Sequence, residues 1–122
     1  VPSRPPPFRD RQGKPISRDQ WVEFSSNDTY RVLAVEVMPL LGIKASTIWV
    51  GFDMTPMPLA ARNHEPIIFE TAVLPLDVVH EFNGMPLRAA LYQRRYATEA
   101  AAYLGHGYAI SVAQQMFSAG KP

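Results

Sequence analysis

Two apolar segments near the middle of the chain most constrain its fold. Residues 45–53 read Ala-Ser-Thr-Ile-Trp-Val-Gly-Phe-Asp, and residues 66–74 read Pro-Ile-Ile-Phe-Glu-Thr-Ala-Val-Leu. Both are rich in β-branched and aromatic residues, which suit a pleated, partly buried surface. In each, apolar residues stand at consecutive positions, so both faces of a strand would carry apolar side chains. A strand with one wet face alternates instead, so these two are expected at the centre of a small antiparallel sheet with both faces largely covered. Each segment also carries one carboxylate, Asp53 and Glu70, where any acid–base chemistry would begin.

The flanking sequence supplies the remaining elements. Ser17 and Gln20 fit a Ser-x-x-Gln capping box and start a short helix over about 18–25, stopped by Ser25-Ser26-Asn27-Asp28. A first strand is expected over 30–38, with Arg31, Leu33, Val35 and Val37 on one face and Tyr30, Val32, Ala34, Glu36 and Met38 on the other. Pro39–Gly42 turns the chain into the second strand, 44–53. Residues 54–65 form a long loop with two prolines, and loops of that length often bind. The third strand covers 66–74. Asn83-Gly84 marks a tight turn, and 91–96 is a fourth strand. Thr98 caps a final helix, with Glu99 in its first turn complementing the dipole, running to about Phe117.

That last helix shows two apolar stripes: Ala101, Leu104, Tyr108, Val112 and Met116, and then Tyr103, His106, Ile110 and Phe117. One stripe suffices for packing on a sheet, so the second is expected to meet another chain or the N-terminal elements. Gly105 and Gly107 each weaken the helix by about 1 kcal/mol relative to alanine. They are expected where another backbone approaches closely.

A chain of 122 residues holds one domain with a genuine core. Its 47% hydrophobic content excludes a wholly disordered chain, and it has no cysteine for disulfides or thiolate metal sites. No apolar run nears the length of a membrane span, and the N-terminus lacks the apolar core of a signal peptide. Net charge is +1 but uneven: residues 1–18 hold Arg4, Arg9, Arg11, Lys14 and Arg18 against Asp10 alone, leaving the rest mildly acidic. Five of the twelve prolines fall within residues 1–15. This reads as a basic, extended arm over 1–16 with Phe8 as its one large anchor, preceding a domain over 17–122. Such an arm can reach an acidic protein surface or nucleic acid.

Sites for chemistry are sparse. Asp53, Glu70, His64, His80 and His106 are the candidate metal ligands or acid–base groups, but no His-x-x-x-His or His-Glu-x-x-His spacing gathers them. The plainer expectation pairs Glu70 with a neighbouring arginine, Arg94 or Arg95, or has it cap backbone amides, and bonds His106 to a backbone carbonyl or to Glu70. No metal or cofactor is expected. There is no Gly-x-Ser-x-Gly elbow, P-loop or dinucleotide-binding glycine pattern. Arg88, Arg94 and Arg95 with Tyr92 and Tyr96 offer a basic aromatic surface for single-stranded nucleic acid. Adjacent strand residues point to opposite faces, which splits that patch and favours a charged, aggregation-resistant edge.

Several stretches carry a resemblance. Ser46-Thr47-Ile48-Trp49-Val50-Gly51-Phe52-Asp53 is similar to Ser-Thr-Val-Trp-Leu-Gly-Leu-Asp, and Pro66-Ile67-Ile68-Phe69-Glu70-Thr71 to Pro-Leu-Ile-Phe-Glu-Thr. Arg95-Tyr96-Ala97-Thr98-Glu99 with Ala102, Gly105 and His106 is similar to Arg-Tyr-Ser-Thr-Glu with a trailing Ala-x-x-Gly-His. Phe8 to Ile16, followed by Trp21, resembles the entry segment of the same pattern. The pattern resembles a family of small uncharacterised proteins of tailed bacteriophages and prophages. The chain departs from it at Met54, where the family tends to carry histidine, and in its longer, proline-containing loop 54–65. The resemblance implies a phage context and an α+β fold.

The expectation is therefore an α+β protein. A three- to four-stranded antiparallel sheet carries a short N-terminal helix and a packed C-terminal helix, preceded by the extended arm. The expected function is non-enzymatic protein interaction, as a virion or assembly component whose arm binds a neighbouring subunit. Arg4, Phe8, Arg9 and Arg11 on the arm and Tyr103, Ile110 and Phe117 on the last helix are the expected contact residues. A protein partner or self-association follows, with nucleic acid a further partner for the arm, no membrane, and a location in the host bacterial cytoplasm or the virion. The alternatives are a host-directed binder that inhibits a bacterial protein or sequesters a nucleotide signal, and a small enzyme using Asp53, Glu70 and a histidine.

Overall fold

A computed structural model describes residues 7–55, 65–76, 80–82, 85–87 and 90–118, with 80–82, 85–87 and 118 as backbone alone. The fold is α+β. Strands β3 (Val32–Met38), β4 (Ile43–Trp49), β5 (Phe69–Pro75) and β8 (Tyr92–Tyr96) form one antiparallel sheet in that order. Helix α3 (Glu99–Ser118) lies across it. A two-residue ladder joins β1 (Phe8–Arg9) to β2 (Pro15–Ile16), and another small hairpin joins β6 (His80–Phe82) to β7 (Met85–Leu87). Helix α1 (Arg18–Ser25) and the single turn α2 (Asp28–Arg31) connect β2 to β3.

Local chemistry sets most boundaries. The Gln20 N–H donates to Ser17 Oγ at 3.1 Å and the Ser17 N–H to Gln20 Oε1 at 3.0 Å, closing the expected capping box. Asn27 caps α2 by accepting from the Thr29 and Tyr30 amides. Gly42 takes the left-handed conformation (φ 69°) that ends the 3-10 turn over Pro39–Leu41 and admits β4. The Ala101 N–H donates to Thr98 Oγ1 at 3.1 Å, capping α3 as expected.

The sheet is asymmetric. Ile43, Ala45, Thr47 and Trp49 of β4 and Phe69, Thr71 and Val73 of β5 are buried under α3 and the N-terminal elements. The intervening residues of both strands are only half-buried, and Val35 and Val37 of β3 are about half exposed. The expected cover on both faces is thus seen, among the described residues, on one. Strict alternation also fails in β3. The register slips between Val32 and Ala34, and this bulge lets Leu33 pack on the Trp49 cluster while Val35 and Val37 face the other way.

The seam of α3 is made of small residues. Ala102, His106, Ala109 and Ala113 stand at i, i+4, i+7 and i+11 and are buried. Their short side chains let the helix lie close to the strands. The stripe expected to face inward points out instead: Leu104 is 78% exposed, Tyr108 60% and Met116 54%. Ile110 and Phe117, expected as contact residues, are half-buried against the core. Gly105 is required by the chain itself, because a Cβ there would collide with the Tyr96 ring, whereas Gly107 faces open space.

Residues 8–16 differ from the expected extended arm. They fold back as the β1–β2 hairpin, with Asp10 Oδ1 accepting from the Gln12 and Lys14 amides (both 2.9 Å) and Gly13 at φ 86°. Phe8 stacks on Trp21 at 4.7 Å and bridges Phe52, and the Arg9 N–H donates to the Gly51 carbonyl at 2.8 Å. An aromatic anchor with a hydrogen-bonded backbone outweighs the freedom of a proline-rich segment once a partner surface lies in the same chain.

Candidate functional site

Two apolar clusters lie under α3. One joins Met38, Ile43, Ala45, Val73, Ala109 and Ala113; the other joins Ile16, Trp49, Ile68, Phe69 and Ala102. Between them runs a polar belt. Thr47 Oγ1 lies 2.6 Å from Thr71 Oγ1 and 2.7 Å from His106 Nδ1. Each hydroxyl is both donor and acceptor, so the chain can run from Thr71 to His106 or back, depending on the imidazole tautomer. Burial lowers the His106 pKa below its ordinary value, with Glu36 partly offsetting it, and burial raises that of the Tyr96 phenol. Thr47 and Thr71 are fully buried and His106 is 9% exposed, so no substrate reaches the hydroxyls. This belt is a satisfied core network that sets helix register on the sheet.

Among the described residues, the carboxylate–histidine site does not assemble. Glu70 projects from the sheet face opposite Thr71 and His106, accepting from Arg95 Nε at 3.1 Å and Gln93 Nε2 at 2.8 Å. The pairing with Arg95 is as expected. His106 instead takes a threonine hydroxyl, in place of the expected carbonyl or Glu70. Asp53 lies beyond β4, where its Oδ1 accepts from the Thr55 amide (3.0 Å), the Thr55 hydroxyl (2.6 Å) and the Ile67 amide (3.0 Å). It ties together the two ends of the 54–65 loop. His64 and the His80 side chain lie outside the described residues, and no group of three metal-ligating side chains exists among those described.

The expected arm contacts are engaged within the chain. Arg11 Nη2 and Nε donate to the two Glu99 carboxylate oxygens at 2.8 and 3.2 Å, Nη1 to the Tyr30 carbonyl at 3.2 Å, and Nη2 to the Tyr103 hydroxyl at 3.1 Å. The hydrogen bond to Glu99 raises the Arg11 pKa, against a smaller opposing effect of burial. Arg11 thus latches the hairpin to the first turn of α3. Arg9 Nη1 donates to the Gly13 carbonyl, and the Trp49 indole N–H donates to the Arg9 carbonyl, both at 3.0 Å. Beside them is a cleft of about 440 Å³ whose charged lining is mixed, with Arg9 and Arg11 against Glu65 and Glu99. Arg4 lies outside the described residues.

What remains outward is the far side of α3. Beyond Glu99 the helix has no charged residue through Ser118, and its exposed side presents Leu104, Gly107, Tyr108, Ser111, Gln115 and Met116. Surface helices normally carry charge on that side, and this face carries none. Next to it, β8 is the edge of the sheet, and a groove of about 540 Å³ runs between β8 and α3. Helical spacing did reveal two stripes, but no spacing rule identifies which one the sheet takes. Among the described residues no helix is long and apolar enough to cross a membrane. Compared with models of protein families, with curated proteins and with solved structures, the chain matches none.

Proposed function

We propose that this chain is a non-enzymatic protein-interaction module encoded by a phage or prophage, acting in the virion or its assembly in the host bacterial cytoplasm. The observation that carries the reading is the uncharged outer face of α3, where Leu104 is 78% and Tyr108 60% exposed. Isolated apolar side chains are common on surfaces, but an uncharged helix face of about five turns is not. The phage context rests on the sequence resemblance described above. With Arg9 and Arg11 engaged internally, recognition passes from the arm to α3.

The test is mass spectrometry of purified particles from the encoding phage or induced prophage. The chain should be present at a fixed ratio to the other structural proteins. Leu104→Glu should remove it from particles while leaving its stability within about 0.5 kcal/mol, because the side chain is exposed. Absence of the wild-type chain from particles, with a bacterial protein or nucleotide co-purifying instead, would replace this reading by a host-directed binder.

A further inference from the structure

We infer that the β8–α3 groove binds an extended peptide segment of a partner, added as a fifth strand and carrying the pattern apolar–x–acidic–x–apolar. The inference rests on reading the chain as an interaction module and names the chemistry of what it binds.

The backbone supplies the first half. β8 pairs with β5 on one side, and its other side makes no backbone ladder among the described residues. A free edge of five residues offers hydrogen bonds to an incoming strand. The side chains supply the second half. Tyr92, Arg94 and Tyr96 alternate onto the α3 side of the sheet, opposite Val73, Thr71 and Phe69. They form one wall of the groove, and Leu104, Gly105 and Tyr108 of α3 form the other.

Charge selects the occupant. Among the described residues, Arg94 is the only charged one lining the groove. Its guanidinium lies 6.0 Å from the Tyr92 ring centroid and makes no hydrogen bond or ion pair among the described residues. By contrast Arg95, on the opposite face, is held by Glu70. A partner side chain directly opposite Arg94 is therefore best met by Asp or Glu. Those two residues away on the same face meet Tyr92 and Tyr96 and are best apolar. Positions between them face the other side and are unconstrained by the groove. The pattern is palindromic, so it serves either strand direction. A second copy paired β8 to β8 about a twofold axis would set Arg94 near its own counterpart, which like-charge repulsion disfavours.

The test is an amide-detected NMR titration of the full chain with the acetylated, amidated heptapeptide Thr-Leu-Thr-Glu-Thr-Leu-Thr, and with the same peptide carrying Lys for Glu. The Glu peptide should shift the amides of residues 92–96 saturably and bind at least about fivefold tighter than the Lys peptide. Arg94→Glu should reverse that order. An exposed charge swap is compatible with folding, checked by the unchanged amide spectrum of the core. The inference is overturned by no shift in β8 at millimolar peptide, by shifts indifferent to the charge at position 94, or by protein self-association through β8 in the absence of peptide. Should the peptide fail while particle incorporation still depends on Leu104, the module reading stands and the strand-addition inference alone falls.

Discussion

Removing the hydroxyl at the centre of the polar belt, by Thr47→Val, should destabilise the protein by about 2–3 kcal/mol. Valine nearly keeps the volume, so cavity formation contributes little. The Oγ1 atom, however, links Thr71 Oγ1 at 2.6 Å and His106 Nδ1 at 2.7 Å in a fully buried position. Thr71 Oγ1 and His106 Nδ1 then each lose the hydrogen bond to this position. A buried polar group left without a partner costs about 1–3 kcal/mol, and the second lost hydrogen bond adds about 0.5–1 kcal/mol. With an unfolding entropy of about 2.1 cal/mol/K per residue, Tm falls by about 8–12 °C for a chain of this size. Urea unfolding followed by tryptophan fluorescence and circular dichroism measures the free energy, and the slope with urea should not change. Adding Thr71→Val should cost less than the two single effects summed, by about 0.5 kcal/mol or more, since the two hydroxyls bond each other. A single-variant effect under about 0.5 kcal/mol, or strict additivity, would refute the claim that this hydroxyl joins a connected network.

The remaining predictions concern the same packing. Because burial lowers the folded-state pKa of His106, the unfolded chain binds the proton first as pH falls below about 6.5. Stability should therefore be complete above that pH, decline as pH drops toward the lowered folded value, and level off below it. Urea midpoints at pH 8, 7, 6 and 5 measure this, and His106→Asn should flatten the part of the slope due to this residue. Arg11→Ala should cost about 2 kcal/mol by breaking a charge-assisted bond to a partner less than one-third exposed. Arg11→Lys should recover only part, lacking the two-pronged geometry, and limited proteolysis should show faster cutting in the β1–β2 hairpin for Arg11→Ala. Gly51→Ala should cost at least about 2 kcal/mol, because φ is 85° and a Cβ there would meet the Trp49 and Trp21 rings. An equal stability for Gly51→Ala would show that the two indoles leave more room than the fold places there.

Short-range chemistry was legible in the sequence wherever it decided the outcome. Ser17 and Gln20 announce a helix start because their side chains bond amides three residues away. Thr98, with Glu99 in the first turn, does the same for α3, and Gly42 frees the turn into β4. Consecutive apolar residues over 45–53 and 66–74 marked adjacent central strands, since few other arrangements bury Trp49, Ile68 and Phe69 together. The ion pair of Glu70 was legible too, because Arg95 was one of two basic residues on the last strand.

Tertiary structure decided what depends on a second surface. Phe8 belongs to a hairpin rather than an extended arm because Trp21 and the Gly51 carbonyl wait in the same chain. The bulge at Leu33 follows from competition between register and core packing, which alternation alone does not contain. Helical periodicity offered two stripes of large apolar residues on α3. The sheet took neither of them whole, because close approach rewards Ala102, Ala109 and Ala113, and because Thr47 offered His106 a buried partner. That choice turned Leu104 and Tyr108 outward beside Arg94. Apolar content and charge were local facts of the sequence; their arrangement along one groove followed from long-range packing of strand against helix.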